Sequence, residues 1–131
     1  MLIKQTLKTG RESYTDITAS VKNAILQSTV TSGIAIVYCP HTTAGITINE
    51  NADADVVYDL LFALREVFYD NKAFRHMEGN SAAHLKALVT GSSVSLIIEE
   101  RKPILGTWQG IFFAEYDGPR TRTYYIKIIG D

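Results

Sequence analysis

The stretch GIAIVYCPHTTAGITINENADADV, residues 33–56, decides the architecture. Two apolar runs, GIAIVY (33–38) and AGITI (44–48), are rich in β-branched residues and read as neighbouring β-strands. Between them lies Cys39-Pro40-His41-Thr42-Thr43. After the second comes Asn49-Glu50-Asn51-Ala52-Asp53-Ala54-Asp55. Hydrogen-bonding and ionisable groups thus collect at both ends of one short strand. The helical period then sets in: Val56, Val57, Leu60, Leu61, Leu64, Val67 and Phe68 recur at i, i+3, i+4 spacing, which predicts a helix over 53–70.

Outward from this stretch the pattern alternates. Residues 2–8 read as a strand with Ile3, Gln5 and Leu7 on one face, and ESYTDI (12–17) as a second. A helix runs from Asp16 or Thr18, either of which can cap it, to about Val30. It turns Ile17, Val21, Ala24, Ile25 and Ser28 to one side, and Gly33 is its expected stop. Asn71 to Gly79 is irregular. NSAAHLKALVTG (80–91) reads as a short helix with Leu85 and Leu88 facing the core. SSVSLIIE (92–99) is a strand that Lys102-Pro103 breaks. GIFFAEYD (110–117) and RTRTYYIKIIG (120–130) are strands joined at Asp117-Gly118-Pro119, and that turn predicts an antiparallel hairpin. Hairpins outnumber βαβ crossovers, so the expected class is α+β: one domain over 1–131, a mainly antiparallel sheet packed with two to three helices.

A chain of 131 residues, 46% of them hydrophobic and seven of them tyrosine, can build one substantial core. The net charge of -1, with acids and bases mixed along the chain, leaves no basic footprint for nucleic acid. Arg120 with Arg122 is the one local excess and suits a single anion. The single cysteine excludes an internal disulfide and suits a reducing compartment. No apolar run reaches the length of a membrane span, and MLIKQTLKTG has no signal-peptide core. The expectation is a cytoplasmic protein, with no membrane partner, in which Cys39 is a buried residue at a strand end.

Three polar constellations stand out. Asp53 and Asp55 open the long helix, where carboxylates complement the helix dipole. The spacing Asn51-x-Asp53-x-Asp55 imitates a calcium-binding EF-hand. It fails because Val56 stands where glycine is needed and Phe62 where a bidentate glutamate is needed. The three histidines, His41, His76 and His84, each lie among short polar side chains. Taken singly, each reads as a packed or surface histidine; together, with an open fourth position, they match a catalytic zinc or another divalent metal. Their spacing fits no compact ligand motif. In LGTWQGIFFAEYDGPRTR (105–122), Gly106 and Gly110 bracket Trp108, which reads as a core plug or as a pocket wall for an aromatic ligand. Glu115 and Asp117 are two apart, so they share a strand face and suit metal, proton transfer or pairing with Arg120 and Arg122.

The blocks PHTTAGITINENAD (40–53), HMEGNSAAHLKALVTGSSV (76–94) and LGTWQGIFFAEYDGPRTR (105–122) closely resemble the YjbQ-like family, described as secondary thiamine-phosphate synthases. The resemblance spans most of the chain; one departure is Gly45, where the family often has alanine. It implies a YjbQ-like α+β domain assembled as a homotrimer with sites near subunit boundaries. The activity it implies joins a pyrimidine diphosphate to a thiazole phosphate. On that reading His41, His76 and His84 hold a divalent metal, zinc or magnesium, that neutralises the leaving pyrophosphate. His41, Glu50, Glu78 and Glu115 are candidates for proton transfer, with Arg120 as an anion clamp. Thr42, Thr43, Asn49, Asn80, Trp108, Gln109 and Asp117 are candidates for substrate binding. A metal-dependent hydrolase of a phosphorylated metabolite, or a non-catalytic trimeric module that binds one, accounts for the same residues.

Overall fold

The computed structural model describes residues 1–131 as eight strands and three helices. In chain order these are β1 (Leu2–Lys8), β2 (Ser13–Asp16), α1 (Thr18–Ser28), β3 (Gly33–Tyr38), β4 (Ala44–Glu50), α2 (Ala54–Val67), α3 (Ser81–Thr90), β5 (Ser93–Glu99), β6 (Lys102–Pro103), β7 (Gln109–Glu115) and β8 (Thr121–Gly130). The α+β class holds, but the strands form two antiparallel sheets. One is five-stranded, ordered β1-β8-β3-β5-β6, and the other three-stranded, ordered β2-β7-β4.

The expected hairpin of the last two strands is not formed. β7 pairs with β2 and β4, while β8 pairs with β1 and β3. Residues 116–120 instead carry the chain from one sheet to the other, and they do so tightly. Gly118 donates its N–H to the Arg11 carbonyl at 2.9 Å, and a Cβ at Gly118 would collide with the Gly10 carbonyl. The runs 33–38 and 44–48 likewise part: β3 is central in the larger sheet and β4 is an edge of the smaller. Turn chemistry marks a change of direction at 117–119, and apolar runs mark two strands around 39–43; only packing decides whether the following strand pairs or changes layer.

The core fills the space between the sheets. β3, β5 and β8 contribute Ala35, Val37, Leu96, Ile98, Tyr124, Ile126 and Ile128. β4 and β7 contribute Ala44, Ile46, Ile111 and Phe113. α1 closes one side with Val21, Ala24 and Ile25. Burying a side chain such as Phe113 contributes about 1.5–3 kcal/mol. Cys39 sits in this core, and burial pushes its thiol above the usual range, which leaves it protonated and inert. β7 is covered on both faces, which explains its unbroken apolar run. Ile111 and Phe113 face the sheet-to-sheet core, whereas Ala114 and Tyr116 pack under α3 with Ala83 and Ala87.

The helix boundaries differ in instructive ways. α1 ends at Thr29 in the left-handed region (φ 60°) rather than at Gly33, which starts β3 against the backbone of Ile129 and Gly130. α2 is capped by Asp53, whose carboxylate accepts from the Asp55 N–H at 2.9 Å. Its apolar stripe is not a core stripe, since no α2 residue is fully buried; Leu61 and Leu64 rest on the α3 cluster. In α3 the expected core residue Leu88 is 75% exposed, and Leu85 is half-buried. The small side chains Ala82, Ala83 and Ala87 face inward instead, because α3 lies close to sheet backbone. At Gly45 a Cβ would collide with the Gly91 carbonyl at the end of α3. Lys102-Pro103 does not merely break β5. It folds back as β6, joined to β5 by Glu100 (φ 51°) and Arg101 (φ 63°). Two non-glycine residues at positive φ cost roughly 1–2 kcal/mol each.

Candidate functional site

Side-chain alternation creates the site. On β8, Arg122 faces inward with Tyr124, Ile126 and Ile128; on β7, Glu115 faces inward with Ile111 and Phe113. The two meet at the end of the sandwich. Arg122 Nε donates to Glu115 Oε1 at 2.7 Å, and an Arg122 terminal nitrogen donates to Oε2 at 2.5 Å. The Thr9 hydroxyl (2.5 Å) and the Asp117 N–H (3.0 Å) also donate to this carboxylate. Burial pushes the Glu115 carboxyl upward, but Arg122 and Thr9 outweigh it and hold the group below the usual carboxylate range. Every lone pair of Glu115 is engaged, so this residue positions others and does not exchange protons with a ligand. Arg122 also donates to Thr43 Oγ1 at 2.8 Å and so fixes the start of β4.

Above this pair lies an open pocket of ≈ 370 Å³ whose lining is polar or charged apart from Pro40. The 39–43 connection supplies His41, Thr42 and Thr43. The irregular segment supplies His76, Glu78 and Asn80, α3 supplies His84, and the sheet crossing supplies Asp117 and Arg120. Asn80 precedes α3 but does not cap it. Its Nδ2 donates to Asp117 Oδ2 at 2.8 Å, and its Oδ1 is buried without a partner. Arg120 donates through Nε to the Asp117 carbonyl (2.7 Å) and through a terminal nitrogen to its Oδ2 (3.1 Å). An adjoining depression shares His41, Thr42 and His84 and adds Ala44, Ala87 and Leu88.

The histidines do converge on this pocket, across 43 residues of chain (His41 to His84), yet they differ in role. His76 and His84 stand edge to face with ring centres 5.4 Å apart. His41 Nε2 accepts a hydrogen bond of 3.0 Å from the Thr123 N–H. In the neutral ring the proton is therefore on Nδ1. Burial and the Arg122 charge hold the His41 pKa below its usual value, so that neutral form is favoured. A metal-ligating imidazole donates through its second nitrogen; His41 does the reverse and retains no free lone pair. No three His, Cys, Asp or Glu side chains stand at ligand spacing. The donors as arranged do not fit a three-histidine metal centre.

The other candidates lie elsewhere in the chain. β4 pairs with β7 from Ala44–Glu115 to Glu50–Gln109. Seven residues of strand put Asn49, Glu50, Trp108 and Gln109 about 20 Å from the His41 end. Trp108 is 62% exposed and is no core plug. Asn49 Oδ1 accepts from the Glu50 N–H at 2.8 Å, and Gln109 Oε1 accepts from the Gly106 N–H at 2.7 Å. Thr9 and Thr123, which secure Glu115 and His41, carried no signal in the sequence, because their partners are 106 and 82 residues away.

The family model described as UPF0047 protein YjbQ-like matches residues 3–131. A UPF0047 protein of Methanocaldococcus jannaschii is 55% identical over 132 residues, covering 100% of this chain and 96% of its own. The UPF0047 protein YugU of Bacillus subtilis is 54% identical over 123 residues, 93% of each chain. Among solved structures, a YjbQ/UPF0047 family protein of Clostridium acetobutylicum, described as uncharacterized, superposes with a TM-score of 0.95 at 55% identity, covering 97% of this chain and 99% of that one. A protein of unknown function from Sulfolobus solfataricus reaches a TM-score of 0.95 at 30% identity, covering 100% and 97%. Fold, length and sequence agree throughout, and the chain belongs to the UPF0047 YjbQ-like family.

Proposed function

We propose that the His41–His76–His84 pocket binds a small phosphorylated metabolite and transfers a group at it. The finer reading is thiamine-phosphate synthase-type chemistry. The carrying observation is that three separate chain segments bring three imidazoles, two arginines and the Asn80 amide to one pocket that is polar apart from Pro40. Such a lining replaces the hydration of a charged ligand. Arg120, tethered on one edge by Asp117, turns its remaining N–H groups to a phosphate oxygen. His41 Nδ1–H donates a second hydrogen bond. The organic portion rests over Ala87 and Leu88 in the adjoining depression. In the transfer, the thiazole nitrogen bonds to the pyrimidine methylene carbon. The carbon–oxygen bond breaks, and pyrophosphate leaves with the electron pair. His76 and His84, with Glu78 4.0 Å from His76, serve proton movement at the leaving group. No step is assigned to a metal.

A homotrimer belongs to the same reading. Its support is the outer face of the five-stranded sheet, where Ile34, Ile97 and Ile129 lie on adjacent strands and are each about half exposed or more.

The test is product formation from the pyrimidine diphosphate and thiazole phosphate, for the native chain and for His84→Ala and Arg120→Ala. Product that falls about 100-fold or more in both variants supports the proposal. Undiminished turnover in both overturns it. Phosphate release from simple esters without coupled product points to a hydrolase. Saturable binding without product points to the non-catalytic module.

A further inference from the structure

The polar run at the far end of β4 meets a second cavity, of ≈ 560 Å³. Its lining brings together Lys22 from α1, Arg101 from the β5–β6 turn and Lys102 from β6. No carboxylate lines it. The nearest acidic partner in the hydrogen-bond network is Asp16, which is already engaged by Thr18 (2.9 Å from its N–H) and by Asn51 (3.2 Å). Asp16 feels the charge of Lys22, and Glu99 stands opposite Lys102 across the β5–β6 ladder; both carboxylates lie outside the lining, so the cavity itself presents three cations and no anion.

The backbone holds this arrangement against its own preference. A two-residue hairpin turn with positive φ at both central positions normally takes Asn-Gly or Gly-Gly. Here Glu100 and Arg101 occupy them. The strain places Arg101 at the cavity, where its guanidinium donates to the Leu26 carbonyl at 3.2 Å and its N–H donates to the Thr31 carbonyl at 3.1 Å. Strained non-glycine turns concentrate at ligand sites. On the facing rim, Gly106 and Gln109 close a tight loop through two hydrogen bonds, Gly106 N–H to Oε1 (2.7 Å) and Gln109 N–H to the Gly106 carbonyl (3.1 Å). Leu26, Pro103 and Leu105 supply an apolar wall beside the cations.

We propose that this cavity is a second anion site, separate from the His41 pocket, which takes a small molecule bearing a pyrophosphate or longer phosphate chain. Lys22, Arg101 and Lys102 hold the phosphates, and the apolar wall takes the organic part. The volume suits a ligand of nucleotide size. Nothing in this inference depends on the reaction assigned to the His41 pocket.

The experiment is an NMR titration of the full chain with inorganic pyrophosphate, following backbone amides at both ends of β4. Saturable shifts at Arg101, Lys102, Gly106 and Thr107 are expected, with affinity about tenfold weaker in the Lys22→Ala/Lys102→Ala double variant. Both lysines are exposed, so the fold is retained in the variant. Arg120→Ala should leave these shifts unchanged. Shifts confined to His41, His84 and Arg120 overturn the second site while leaving the first reading intact. Shifts at the second cavity that the lysine variant does not weaken overturn it as well, as does the absence of saturation at about 10 mM.

Discussion

The Thr123 N–H donates to His41 Nε2 across 3.0 Å, and this one bond decides what His41 offers a ligand. It makes Nδ1 the protonated nitrogen. Nitrogen-15 NMR should find a pyrrole-type Nδ1 and a pyridine-type Nε2 at neutral pH; the opposite assignment would refute the donor role. Zinc titration is the companion test, and His41→Ala should leave zinc binding as it is in the native chain. The bond also has a pH signature. Burial and Arg122 depress the His41 pKa from its usual 6.5, so the unfolded chain takes up this proton first. Stability from this group is full above 6.5 and declines as pH falls from there toward the depressed value. His41→Gln should flatten the urea midpoint over that window.

Glu115 and Arg122 form an ion pair in which the side chains are 0% and 6% exposed. Removing one partner leaves the other charge buried, at a cost of about 3–5 kcal/mol. Glu115→Gln should show this in urea unfolding, and Glu115→Leu combined with Arg122→Met should be less destabilised than either single change. The carboxyl is held below its usual 4.5, so its contribution is full above that pH and is lost as pH falls through the depressed value. A Glu115→Gln variant as stable as the native chain would remove the pair from the account of the site.

Gly45→Ala places a methyl group against the Gly91 carbonyl and beside the Thr90 side chain. β4 and α3 must separate to admit it, and overpacking of this kind costs about 1–3 kcal/mol. Thermal unfolding should report a lower midpoint. An unchanged midpoint would mean that α3 shifts freely over β4.

Ile97→Lys puts a charge on the exposed apolar face of the larger sheet, where Ile97 is 62% exposed and pairs with Ile34. If that face joins subunits, sedimentation should show a trimer for the native chain and a monomer for the variant, with the fold intact by circular dichroism. A native monomer, or a variant that still forms trimers, would place the interface elsewhere or nowhere.

Local chemistry made much of this chain legible in its sequence. The 3.6-residue period located α1, α2 and α3 within a few residues, because helices close their hydrogen bonds locally. Alternation on 2–8 and the apolar, β-branched runs elsewhere located β1, β2, β3, β4, β5, β7 and β8. The same polar side chains that crowd 39–43, 76–84 and 117–120 line one pocket. Strand pairing was not legible, since Asp117-Gly118-Pro119 looks the same whether the chain turns back or changes sheet. Neither was the burial of α2, whose stripe is fixed by sequence but whose covering surface is not. The division of the polar residues between the two ends of β4, the choice of Nδ1 as the protonated nitrogen of His41, and the meeting of Lys22 with Arg101 all depend on contacts far apart in sequence. Tertiary structure alone decides these, because hydrogen bonds and Coulomb forces act over ångströms of space and carry no signal along the chain.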